Sequence, residues 1–124
     1  MTNFSLLKCY NRSREVKNME IRSKNNDGAV TAILFGEIDH HNAAAARAEL
    51  DRLIESEQAV KFRLDLSGVT FCDSSGLGLV MGRMKKCESI GSDFAVADPS
   101  PAAEKILNIA GMDKFIKIER NVKT

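Results

Sequence analysis

No apolar run in this 124-residue chain approaches the length of a membrane-crossing helix, which needs about 20 residues. A charge excess is missing as well. Eighteen Lys and Arg oppose 17 Asp and Glu for a net +1, whereas nucleic-acid and membrane-surface binders usually carry a basic surplus. No cluster mixes aromatic and basic residues into a stacking platform. Cysteine is scarce. Cys9, Cys72 and Cys87 form no CxxC pair and cannot all be bridged to one another, which points to reduced thiols and a cytoplasmic location. The first residues lack the apolar middle of a secretory leader, because Lys8, Asn11, Arg12, Arg14 and Glu15 interrupt it. There is no internal repeat, and the only low-complexity tract is the alanine run at 43–46.

What is present is an ordinary globular composition, 44% apolar and 28% charged, in a length suited to one domain. Residues 1–18 are polar and without period, and are read as a flexible N-terminal extension, with an ordered extra strand or helix as the alternative and no assigned function; residues 19–124 form the domain. Residues 20–23 make a weak strand, Asn26-Asp27-Gly28 a hairpin-like turn, and residues 29–35 a stronger strand, so these two strands pair antiparallel. Asn42 is a good N-cap for a helix to about Glu57, with Ala46, Leu50, Leu53 and Ile54 inward and Arg47, Glu49, Asp51 and Arg52 toward water. A strand at 61–66 ends in a Ser67-Gly68 turn, and residues 77–87 have helical spacing. A strand at 93–97 follows. Ser100-Pro101 starts a helix whose inward stripe is Ala103, Ile106, Leu107 and Ala110, Gly111 stops it, and residues 114–118 make a last strand. The order β-β-α-β-α-β-α-β predicts a small α/β domain with a mixed, mostly parallel sheet and helices mainly on one face.

The most informative stretch is Phe71-Cys72-Asp73-Ser74-Ser75-Gly76-Leu77-Gly78, between a strand and a helix. A hydroxyl at that junction can be an N-cap, a nucleophile or a phosphate acceptor. A nucleophile elbow needs Gly-x-Ser-x-Gly, and neither Ser74 nor Ser75 has glycine two residues before it. Gly82 is followed by Arg83-Met84 where a phosphate loop needs Lys-[Ser/Thr], and Gly76-Leu77-Gly78-Leu79-Val80-Met81 lacks the third glycine of a dinucleotide fingerprint. No cofactor is implied. His40-His41 beside Asp39 lacks further ligands at metal spacing, and adjacent side chains of an extended segment point to opposite faces, so no metal site is assigned.

On a helical projection Leu77, Val80, Met81, Met84 and Cys87 face the sheet, leaving Ser75, Gly78, Leu79, Gly82 and Lys86 outward with Ser74 near the start. Glycine in a helix interior costs about 1 kcal/mol against alanine, so two on a solvent face ask for a reason. A flat surface for a partner's backbone, with Leu79 as apolar contact, is one; packing of the glycines on the sheet or another helix is the alternative. A phosphate on Ser74 would add about −1.5 to −2 charge and repel such a partner.

The segments Gly36-Glu37-Ile38-Asp39-His40-His41 and Asp65-Leu66-Ser67-Gly68-Val69-Thr70-Phe71-Cys72-Asp73-Ser74-Ser75-Gly76-Leu77-Gly78 resemble signatures of the STAS-domain family, in its bacterial anti-sigma-factor antagonists. The paired histidines are most similar to the sporulation type, while residues 1–18 have no counterpart in the short antagonists. The resemblance implies a non-catalytic, partner-switching protein. It would bind an anti-sigma factor with serine kinase activity, be phosphorylated at Ser74, and be restored by a serine phosphatase. Asp73 and Ser75 would flank the acceptor, and Asp39, His40 and His41 would form the neighbouring contact loop. A small-ligand or phosphate-binding module of the same family is the alternative.

Overall fold

Asp27 and Gly28 both adopt positive φ, 53° and 91°, the backbone that a two-residue hairpin turn requires. In the computed structural model, which describes residues 12–121, that turn joins β2 (Met19–Asn26) to β3 (Ala29–Ile38). Before them stands β1 (Arg12–Val16); after them come β4 (Lys61–Cys72), β5 (Asp93–Ala97) and β6 (Ile118–Glu119). The six strands form one sheet in sequence order, antiparallel across β1–β2–β3 and parallel from β3 to β6. Helices α1 (Ala43–Ser56), α2 (Ser75–Ser89) and α3 (Pro101–Ile109) connect the parallel strands. Because strand order never reverses, right-handed crossovers put all three on one face. This is the expected mixed, mostly parallel α/β domain.

The core lies between that face and the helices. Val30, Ala32 and Leu34 of β3 and Phe62, Leu64 and Leu66 of β4 alternate toward it. They meet Ala46, Leu50, Leu53 and Ile54 of α1, Val80 and Cys87 of α2, and Ala103 and Leu107 of α3. Each large side chain so buried contributes roughly 1.5–3 kcal/mol.

Several local expectations change. Arg12–Val16, placed in the flexible extension, is an edge strand paired in register with Ser23 to Met19; residues 1–11 lie outside the described residues. Ser67-Gly68 does not end β4. The Asp65 carboxylate accepts the Ser67 N–H at 2.9 Å and the register with β3 slips there, so the strand bulges and continues to Cys72. The last strand is shorter and later than read, because Met112–Lys114 forms a 3-10 turn after left-handed Gly111. Ala110, the residue that caps α3, is exposed, and Ile106 within the helix is half-buried. Glu49 is not in water: it is buried, bonded twice to Arg52. The bulge matters for function, since β5 stops pairing with β4 at Asp65–Ala97. Beyond it β4 pairs only with β3, so the two strand ends run on together past the rest of the sheet.

Candidate functional site

The last β3–β4 pair, Ile38 with Cys72, sets two loops side by side, and the Asp73 N–H donates to Ile38 O at 3.1 Å. One loop is Asp39-His40-His41-Asn42. Asp39 Oδ1 accepts from the N–H of His41 at 2.8 Å and of Asn42 at 3.2 Å. Asn42 Oδ1 accepts from Asp39 N at 3.1 Å, and its Nδ2 donates to the carbonyls of Lys17 (2.6 Å) and Glu37 (2.8 Å). Asn42 does stand before α1, but its buried side chain staples this loop and makes no cap bond.

The turn also revises the reading of the histidines. Residues 40–42 are not extended, so the His40 and His41 rings lie together, centroids 4.0 Å apart, both exposed. His40 Nδ1 is 3.9 Å from Asp73 Oδ2 and His41 Nδ1 is 3.8 Å from Asp39 Oδ1. Among the described residues no group of three or more His, Cys, Asp or Glu could hold a metal ion.

In the second loop Asp73, not Ser74, caps α2. Its Oδ1 accepts the Ser75 N–H at 2.8 Å, and its carbonyl accepts the Gly76 N–H at 3.0 Å. Burial alone would raise the Asp73 carboxyl, but the N–H and hydroxyl of Ser75, with His40, outweigh it and hold the group below the ordinary carboxylate range. Ser74 makes no cap bond. Its ψ of −16° already follows the helix, and the residue is exposed. Ser100 provides the contrast within the same molecule: with ψ 165° it is extended, buried, and accepts the Ala103 N–H at 3.2 Å. The neighbouring Cys72 thiol is pushed up to about 11 by burial and by Asp73, so it is no nucleophile at neutral pH.

The outward face of α2 differs from the projection. Leu79 is buried in the core where an outward position was expected, and Met81 is exposed where an inward one was expected. The cause is a second neighbour. Besides the sheet, α2 packs on α1, so the covered arc extends to Leu79 and to Arg83, whose Nε lies 2.9 Å from Asp51 Oδ1. The exposed stripe is Ser74, Gly78, Met81 and Lys85. A β-carbon on Gly78 or Gly82 would meet nothing within 4 Å, which removes the reading that these glycines are packed. A shallow groove of about 370 Å³ runs between α1 and α2, lined by His40, Ala43, Ala44 and Arg47 on one side and Ser75, Gly78 and Leu79 on the other. The structure thus brings Asp39, His40, His41, Asp73, Ser74, Ser75, Gly78 and Gly82 to one end and one flank of the domain, with Leu79 buried yet lining the groove between them. Met81 was missed because its helical azimuth was assigned from a single packing surface.

No helix of the described residues is long and apolar enough to cross a membrane. Residues 20–124 match the STAS domain. The chain is 34% identical over 104 residues to an anti-sigma F factor antagonist of Paenibacillus polymyxa, covering 84% of this chain and 89% of that one. The solved structure of the anti-sigma factor antagonist SpoIIAA in its unphosphorylated form superposes with a TM-score of 0.70 at 27% identity, over 83% of this chain and 89% of that chain. The Bacillus cell fate determinant SpoIIAA in the phosphorylated form gives 0.65 at 27% identity, over 83% and 92%.

Proposed function

The chain belongs to the STAS domain family, and from that premise we propose that it is a non-catalytic, cytoplasmic anti-sigma-factor antagonist switched by phosphorylation of Ser74. In the unmodified state its α2 flank and the loop Asp39-His40-His41 bind an anti-sigma factor that is also a serine kinase, which frees the sigma factor. The kinase then moves the γ-phosphoryl group of ATP to Ser74. The Oγ–P bond forms as the bond to the ADP oxygen breaks, and the hydroxyl proton leaves to a base on the kinase. A serine phosphatase hydrolyses the phosphoserine and restores the free hydroxyl.

The observation that carries this reading is the exposed, uncapped hydroxyl of Ser74 at the head of a stripe containing Gly78, beside an equally open Gly82. Bare backbone lets a partner come close, and a new dianion where it rests meets desolvation and the charge of Asp73. The fold itself loses nothing, since no bond of the helix start uses that oxygen. The rival reading, a small-ligand or phosphate-binding module, is less favoured. The first-turn N–H groups of Ser75, Gly76 and Leu77 are taken by Asp73 Oδ1, Asp73 O and Ser74 O, leaving few donors for a bound anion.

The test is incubation with an anti-sigma factor kinase and ATP, followed by intact mass and binding measurements. One phosphate should be added, the complex should dissociate, and Ser74→Ala should bind the kinase yet take no phosphate. A Ser74→Ala protein that still accepts a full phosphate would move the acceptor elsewhere.

A further inference from the structure

We infer that Asp73 determines which of two adjacent hydroxyls is phosphorylated, by holding Ser75 and leaving Ser74 free. The inference rests on the antagonist reading above. Ser74 and Ser75 carry the same chemistry, and a kinase bound to this flank brings its phosphoryl donor near both. They differ in what restrains them. Ser75 is half-buried at the rim of the α1–α2 groove, and its N–H is 2.8 Å from Asp73 Oδ1. That bond sets Ser75 beside an anion, and a negatively charged phosphoryl donor approaching its hydroxyl runs into the same carboxylate.

Ser74 has neither restraint. Its backbone follows the helix and its carbonyl accepts the Leu77 N–H at 3.1 Å. Its hydroxyl makes no cap bond, because Asp73 has taken over that task. Asp73 is itself tied down, through its N–H to Ile38 O at 3.1 Å and with His40 facing its carboxylate. It is a positioning residue, acting on the choice of acceptor through Ser75.

The experiment treats the full chain and its Asp73 variants with an anti-sigma factor serine kinase and ATP, and maps the phosphate by tandem mass spectrometry. In each transfer a serine Oγ–P bond replaces the bond to ADP, and the hydroxyl proton leaves to the kinase. Wild type should carry its phosphate on Ser74, with at most a trace on Ser75 that sets the reference ratio. Asp73→Ala should raise the Ser75 to Ser74 ratio about fivefold or more, the factor equivalent to a lost helix cap. Asp73→Gly should do the same while sparing the helix start, where glycine is tolerated, and so guards against a variant that fails to fold. Asp73→Asn keeps an oxygen for the Ser75 N–H but loses the negative charge, so its ratio should lie between those of wild type and Asp73→Ala. A role in stability alone would lower total phosphate without moving the ratio. Exclusive Ser74 phosphorylation in the Ala and Gly variants, or an Asn ratio above that of Ala, overturns the selection and spares the antagonist reading. Wild type that takes no phosphate, or takes it on Ser75, overturns both.

Discussion

A β-carbon on Gly76 would collide with Sγ of Cys72, the residue that ends β4. The chain turns back so tightly after the strand that the first turn of α2 rests against the strand end, and Ser74 is held at the apex. Alanine in place of a helical glycine ordinarily gains about 1 kcal/mol. Here overpacking of about 1–3 kcal/mol opposes that gain and prevails. Gly76→Ala should therefore lower the thermal midpoint, and adding Cys72→Ala should recover most of the loss. A higher midpoint for Gly76→Ala alone would contradict the contact.

Ser74 and Ser100 stand at equivalent helix positions but only Ser100 caps. Ser100→Ala should cost about 1 kcal/mol in denaturant unfolding. Ser74→Ala should change stability by less than about 0.5 kcal/mol, as a surface substitution does. Equal losses would mean that the Ser74 hydroxyl caps after all.

Gly78 and Gly82 face open space. Either one replaced by alanine should gain up to about 1 kcal/mol of stability, because the helix no longer carries the entropy of glycine. Gly82→Leu should leave the melt nearly unchanged and weaken binding of the anti-sigma factor, read by calorimetry. A proportionate fall in melting temperature and affinity would make Gly82 a packing residue.

Glu119 anchors β6 through Lys61 Nζ at 2.6 Å and Arg63 Nε at 2.6 Å. Those two bonds, Lys61 first, outweigh burial and lower its carboxyl from 4.5 to about 2. A folded-state pKa below the unfolded one stabilises the fold above the unfolded value, and that contribution is lost as pH falls through the folded one. Stability should decline between pH 4.5 and 2, with a shallower decline in Glu119→Gln. An unchanged acid limb in that variant would remove Glu119 from the balance.

Local chemistry alone determined much of this protein. The Asp27-Gly28 turn demands positive φ, the Ser100-Pro101 start and the Gly111 stop obey backbone rules, and the period of residues 43–56 selects one buried stripe. These follow from interactions within a few residues, so they were legible before folding. Asp73-Ser74-Ser75-Gly76 marked the candidate site for the same reason. Tertiary structure decided the rest. Whether Ser74 or Asp73 caps depends on how β3 holds the Asp73 backbone. Leu79 is inside and Met81 outside because α1, distant in sequence, covers a second side of α2. Arg12–Val16 is a strand because the edge of β2 offers it hydrogen bonds, and its own residues carry little apolar pattern. A helix projection contains one periodicity but no neighbours, and it is the neighbours that set which atoms water can reach.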